Sequence, residues 1–353
     1  MSYIHQSIKE TAMHQTKKMV MNLGILLAVV VMTSCAGSGD SNKVYGAPEA
    51  QVSNLPYTGP HTAGPAINQL PDVKPAPVEN SYEVRLDVTH KQIEIADGVK
   101  IMAWTFGDSV PGPVVHVKEG DRIKFVMTNR TQETADIAPP MPHSIDFHAA
   151  MVNPKDKYRM ILPGQTLSFE WTANYPGVFM YHCGTPMILH HMISGMYGMV
   201  IVDPKEGYGT KVDREYAIVQ SEFYVQKMAD GNYAIDLQAA LNKQPSYVTF
   251  NGVASQYVKT PLISKAGERV RLYVLNVGPN DTSSFHVVGT ILDKVWLDGN
   301  PTNELHGMQT VLLGSSSAAV AEFVIPEKGT YIMVDHEFAD VEHGAVGLIK
   351  ADE

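Results

Sequence analysis

Two stretches far apart in this chain repeat one another. Val117-Lys-Glu-Gly-Asp-Arg-Ile-Lys-Phe-Val-Met-Thr-Asn129 aligns with Ser264-Lys-Ala-Gly-Glu-Arg-Val-Arg-Leu-Tyr-Val-Leu-Asn276. Each reads as a glycine-containing turn followed by a strand of alternating residues. Downstream, Pro176-Gly-Val-Phe-Met-Tyr-His-Cys183 has a weaker echo in Lys328-Gly-Thr-Tyr-Ile-Met-Val-Asp-His336. The pattern predicts two copies of one β-domain. Between them, Asp203-Pro-Lys-Glu-Gly-Tyr-Gly209 ends a strand in turn residues, so a first domain is expected over residues 81–204 and a second over 205–353. The length of 353 residues is enough for two cores, and 28 Gly with 22 Pro favour short strands and turns over long helices. The expected fold class is all-β.

The N-terminal stretch is of another kind. Lys17 and Lys18 precede an apolar run from Met19 to Met32, followed by the small residues Thr33 and Ser34 and then Cys35. This is the pattern of a secretory signal, and the run is too short for a membrane-spanning helix. Its Met32-Thr33-Ser34-Cys35 ending resembles a bacterial lipobox, which implies that residues 1–35 form a lipoprotein signal peptide and that Cys35 is lipidated. Ala36 after it resembles an outer-membrane sorting signal. Residues 36–80, rich in Gly, Ser, Pro, Ala and Asn with no apolar period, read as a flexible tether. The expected location is therefore the periplasmic side of the bacterial envelope, lipid-anchored at the outer membrane. A formal net charge of -10 without basic clusters argues against a nucleic-acid partner.

Only two cysteines are present, in contexts too different for a disulfide framework. Cys183 opens a Cys-x7-His-x4-Met run through His191 to Met196, with His143 upstream. A thiolate, two imidazoles and a thioether form the His2Cys set with axial Met that selects copper in electron-transfer sites. Because the second copy has no cysteine, only the first can hold such a centre. Along a strand successive side chains face opposite ways, so His182 and Cys183 should serve different sites joined by one peptide link. Asp146 and His148 share one parity and His143 has the other, which groups His143 with Cys183 and His148 with His182.

These residues resemble the copper-containing nitrite reductases, and the resemblance runs from about residue 81 to the C-terminus. It is carried by His-Ser-Ile-Asp-Phe-His-Ala-Ala from 143, Tyr-His-Cys-Gly from 181, Ser-Gly-Met-Tyr-Gly from 194, Ser-Glu-Phe-Tyr from 221, Phe-Asn-Gly from 250, Ser-Phe-His from 284 and Val-Asp-His from 334. The loop from Cys183 to His191 is similar to that of the short-loop group that includes neisserial outer-membrane lipoproteins. The resemblance implies two tandem cupredoxin-like Greek-key β-barrel or sandwich domains and a homotrimer. It further implies one type 1 copper on His143, Cys183, His191 and Met196, and one type 2 copper on His148, His182 and a His336 supplied by a neighbouring subunit. Asp146 and His286 become the acid-base pair beside nitrite, and Val288 an apolar wall above the metal. His190 departs from the family, which usually has Trp or Met there.

The implied reaction converts nitrite to nitric oxide and water with one electron and two protons. The electron passes from type 1 to type 2 copper through Cys183-His182, and the donor is a small periplasmic cupredoxin or c-type cytochrome. Three neutral imidazoles leave the metal net positive with an open position suited to an anion. A carboxylate and a histidine beside it can move the protons. A plain electron-transfer cupredoxin with a structural second domain is the alternative, but it gives His148 and His182 no task. A multicopper oxidase needs several His-x-His pairs, and there is none after Cys35. His61, His90, His116, His306 and His343 read as ordinary surface or core groups.

Overall fold

The structure is a computed structural model that describes residues 43–54 and 70–353. The signal segment, Cys35 and His61 lie outside the described residues. The first half contains β1 (Gln51–Ser53), β2 (Ser81–Arg85), β3 (Val88–Ala96), β4 (Val99–Phe106), β5 (Val115–Lys118), β6 (Arg122–Thr128), β7 (Asp146–Phe147), β8 (Thr166–Thr172), β9 (Gly177–His182) and β10 (Tyr197–Asp203). Two short helices, α1 (Pro154–Lys157) and α2 (Ile188–Ile193), sit in its loops. The second half contains β11 (Arg214–Phe223), β12 (Val225–Lys227), β13 (Tyr233–Ile235), β14 (Tyr247–Phe250), β15 (Leu262–Lys265), β16 (Arg269–Gly278), β17 (Ser283–Val288), β18 (Leu292–Leu297), β19 (Glu304–Met308), β20 (Val311–Leu313), β21 (Ser317–Val324), β22 (Gly329–Asp335) and β23 (Val346–Asp352).

In the first half the order β1-β8-β6-β2 makes one sheet and β5-β10-β9-β7 the other. In the second half the sheets run β14-β11-β16-β21-β18-β19 and β15-β23-β22-β17-β20. Each half is a two-sheet, cupredoxin-like sandwich. Among the described residues no sheet joins strands that end by Asp203 to strands that begin at Arg214.

The sequence repeat is a structural one. β5 and β15, the strands that enter the repeated turn, each pair in parallel with the last strand of their half, β10 and β23. β9 pairs antiparallel with β10 as β22 does with β23. Alternation then sorts side chains into cores. From β9, Tyr181 and the following Cys183 join the core of the first sandwich. Val178 and Met180 instead pack with Val219, Leu275, Trp296 and Val320 in an apolar layer between the halves.

Part of the expected tether is built into the fold. β1 pairs antiparallel with β8, the Val44 backbone exchanges hydrogen bonds with the Asn174 side chain at 2.9 and 2.8 Å, and Ala50 is buried in the core. Farther on, Val73 N–H donates to the Glu215 carbonyl at 3.1 Å and Leu70 packs on the second core. These segments lack an apolar period because they serve as backbone partners. β1 covers what would be an open sheet edge on β8.

Candidate metal centres

Cys183 follows β9 directly, and α2 folds the next loop back so that His191 returns to it. Cys183 N–H donates to the Met196 carbonyl at 3.1 Å, and Met196 N–H to the His191 carbonyl at 3.1 Å. Gly195 makes the turn between them at φ 111°, where a side chain would also strike Val110. The Cys183 sulfur lies 3.3 Å from His191 Nδ1 and 3.9 Å from His143 Nδ1, and Ser144 N–H donates to it at 3.4 Å. His143, Cys183, His191 and Met196 are all buried. His190 turns elsewhere, its ring 4.7 Å from Trp104.

Burial, with the neighbouring His191 and His90, lowers the His143 pKa to about 2. Burial, with His190 and His90, lowers that of His191 to about 4. Both imidazoles are thus neutral at physiological pH, the form that binds metal. A cysteine sulfur faced by the Nδ1 atoms of two imidazoles, with the buried Met196 bonded through its backbone to Cys183, offers soft donors that suit copper over harder cations.

A second group forms on the outer side of the same strands. One donor atom from each of Asp146, His148 and His182 lies within 4.8 Å of the others. β7 pairs with β9 so that Asp146 stands opposite His182, and the rings of His148 and His182 meet edge-on at 5.3 Å. His182 Nδ1 donates to the Cys183 carbonyl at 2.9 Å, which directs its Nε2 lone pair toward the group, 3.9 Å from Asp146 Oδ2. Burial and the nearby His182 lower the His148 pKa, against the opposite pull of Asp146. Two imidazoles and an acid fit a copper with an incomplete ligand set, and His148 is exposed, leaving the group open on one side.

His286 and His336 lie together on the second sandwich, ring centroids 5.1 Å apart. His286 Nδ1 donates to the Gln309 carbonyl, leaving Nε2 as its acceptor atom. Among the described residues neither belongs to the Asp146–His148–His182 group of its own chain. Around this pair Val288, Leu312, Ile332 and Phe338 are exposed. The ladder also relates the two clusters: Asp146 opposes His182 in β7–β9 as His286 opposes Val334 in β17–β22. In the same register Val288, opposite Ile332, takes the place that His148 holds beside Met180.

A multicopper oxidase family profile matches residues 87–207. The copper-containing nitrite reductase of Neisseria gonorrhoeae is 38% identical over 292 residues, covering 80% of this chain and 72% of that protein. The chain belongs to the copper-containing nitrite reductases. A relative of that name from Cereibacter sphaeroides is 30% identical over 338 residues, covering 89% of this chain and 87% of its own length. Among solved structures, a copper nitrite reductase from Nitrosomonas europaea superposes with a TM-score of 0.71 at 36% identity, covering 77% of this chain and 94% of that one. A multicopper oxidase structure at 24% identity and TM-score 0.67 shares the fold.

Two residues beside the buried group escape a motif reading. Trp104 from β4 lies 5.7 Å from the His143 ring and 4.9 Å from His191, and His90 from β3 lies 5.8 Å from His143. Both come from a hairpin distant in sequence, with no ligand-like spacing to announce them.

Proposed function

We propose that this chain reduces nitrite to nitric oxide and water, one electron and two protons per turnover. One type 1 copper would be held by His143, Cys183, His191 and Met196, and one type 2 copper by His148, His182 and His336 of the partner subunit. When bound, the metals supply electron storage at the first site and anion binding with one-electron reduction at the second. The observation that carries the reading is the opposite facing of two adjacent residues. Cys183 lies in the buried group and His182 in the open one, so a single peptide link joins the two ligand sets.

The chain's own residues supply protons and shape. Asp146, 3.9 Å from His182 Nε2, is placed to hydrogen-bond the bound oxyanion and hand a proton to its leaving oxygen. His286, oriented through Gln309, presents Nε2 to take up and relay the second. Val288 is the apolar wall. These second-sandwich residues reach the open group only from another copy. An exposed His148 on one face and exposed Val288, Leu312, Ile332 and Phe338 around His286 and His336 on the other support a closed homotrimer.

In this reading residues 81–204 and 205–353 are the two domains. Cys35 carries lipid that holds the enzyme on the periplasmic side at the outer membrane, and a small cupredoxin or c-type cytochrome delivers the electron. The reading of a plain electron carrier assigns no task to the Asp146–His148–His182 group. Cys183→Ala tests the central assignment. It should remove visible absorption and donor-driven turnover while type 2 copper stays bound, and a retained visible band would refute the thiolate ligand.

A further inference from the structure

Two buried nitrogen atoms beside the Cys183 group have no hydrogen-bond partner: Nε2 of His143 and Nε2 of His90. Their protonation states are complementary. His90 Nδ1 lies 3.3 Å from the Ala138 carbonyl, which can only accept, so Nδ1 carries the proton and Nε2 has a bare lone pair. His143 presents Nδ1 to the Cys183 sulfur, so metal binding there forces its proton onto Nε2. One atom is therefore a donor without an acceptor, and the other an acceptor without a donor. The two rings meet edge-on with centroids 5.8 Å apart, and both side chains are shut off from solvent.

His90 is also held in place. Thr134 Oγ1 accepts its backbone N–H at 3.0 Å, and Trp104 lies against its ring at 6.0 Å. Leaving both atoms unpaired would be costly at a buried site.

We propose that His90 Nε2 accepts a hydrogen bond from the Nε2–H of His143 through one buried water, and thereby sets the electron-donating strength of that ligand. His90 acts through His143 and is a positioning residue. A histidine whose remote N–H is hydrogen-bonded is a more basic ligand, and it favours the oxidised metal. His90 thus holds the type 1 reduction potential down, which governs how readily the electron moves on toward His182. The inference rests on the assignment of His143, Cys183, His191 and Met196 to copper.

The test compares copper-loaded parent, His90→Leu and His90→Gln proteins by visible absorption and by redox titration of the visible band. All three should keep the band. His90→Leu should shift the one-electron equilibrium about tenfold toward the reduced metal, about 59 mV upward. His90→Gln, whose side-chain oxygen can accept, should stay near the parent. An unmoved potential in a His90→Leu protein that retains its band would overturn the role of His90 alone. A parent with no visible band would overturn the ligand assignment beneath it. Should His90→Leu not fold, electron spin-echo spectra of type 2-depleted parent report the remote ligand nitrogens directly. The proposal requires a hydrogen-bonded quadrupole coupling for the remote nitrogen of His143, and a free N–H value contradicts it.

Discussion

Ser144 N–H points at the Cys183 sulfur from 3.4 Å, inside a site closed to solvent, and this small contact shows how the residue scale is organised. A buried cysteine sulfur that meets an amide N–H and two imidazoles is one of a set of soft donors that could hold a metal. Asp146 on the neighbouring strand meets the opposite condition, partly open and beside His182. Asp146→Asn keeps the shape and removes the acid. Turnover should fall by about a hundredfold or more while both coppers remain bound, as a steady-state assay with metal analysis would show. A loss of less than about tenfold would reduce Asp146 to an orienting partner of His182. The grouping of His143, Cys183 and His191 was legible because their spacing is a chemical signature. His90 was not, since a buried histidine differs from a core histidine only in which atoms go unpaired.

Strand alternation acts at the scale of elements. β9 and the residue after it send Tyr181 and Cys183 into the first sandwich while Val178 and Met180 pack the layer between the halves, so the opposite facing of His182 and Cys183 follows from extended backbone. That much could be read from parity. The strap before β2 could not, because its pairing depends on partners distant in sequence. It is fixed by His116 of β5, whose Nδ1 donates to the Lys74 carbonyl at 2.6 Å and whose Nε2 donates to Asp203 at 2.8 Å, while Glu215 adds negative charge. Burial alone would lower the His116 pKa, but the Asp203 hydrogen bond and charge raise it overall. A raised folded-state pKa means stabilisation that is full below the unfolded value of about 6.5 and fades as pH climbs through the folded value. His116→Gln should therefore lower the melting temperature more at about pH 6 than at about pH 9. Equal losses at both would show that His116 packs without acting as a charged latch.

The whole molecule separates what one chain can complete from what it cannot. The buried group gathers His143, Cys183 and His191 within one chain, whereas in the proposed reading the open group is completed by the histidine pair of another copy's second sandwich. The two halves are equivalent in register: His286 and Val288 occupy the places that Asp146 and His148 hold in the first copy. Sequence carried the two-sandwich plan, but the apolar side chains exposed around His286 and His336, on which the proposed subunit contact rests, follow no local pattern. His336→Ala should lower copper content from about two to about one per chain. Mixing His148→Ala with His336→Ala chains should restore part of the activity through mixed sites, and two inactive parents that stay inactive when co-assembled would argue against a shared centre. The most direct measurement is anaerobic nitric oxide formation from nitrite by copper-loaded, signal-free protein with a one-electron donor, alongside copper-free protein. Copper-dependent nitric oxide over many turnovers per chain is the predicted result, and none from protein confirmed to hold both metals would contradict the account.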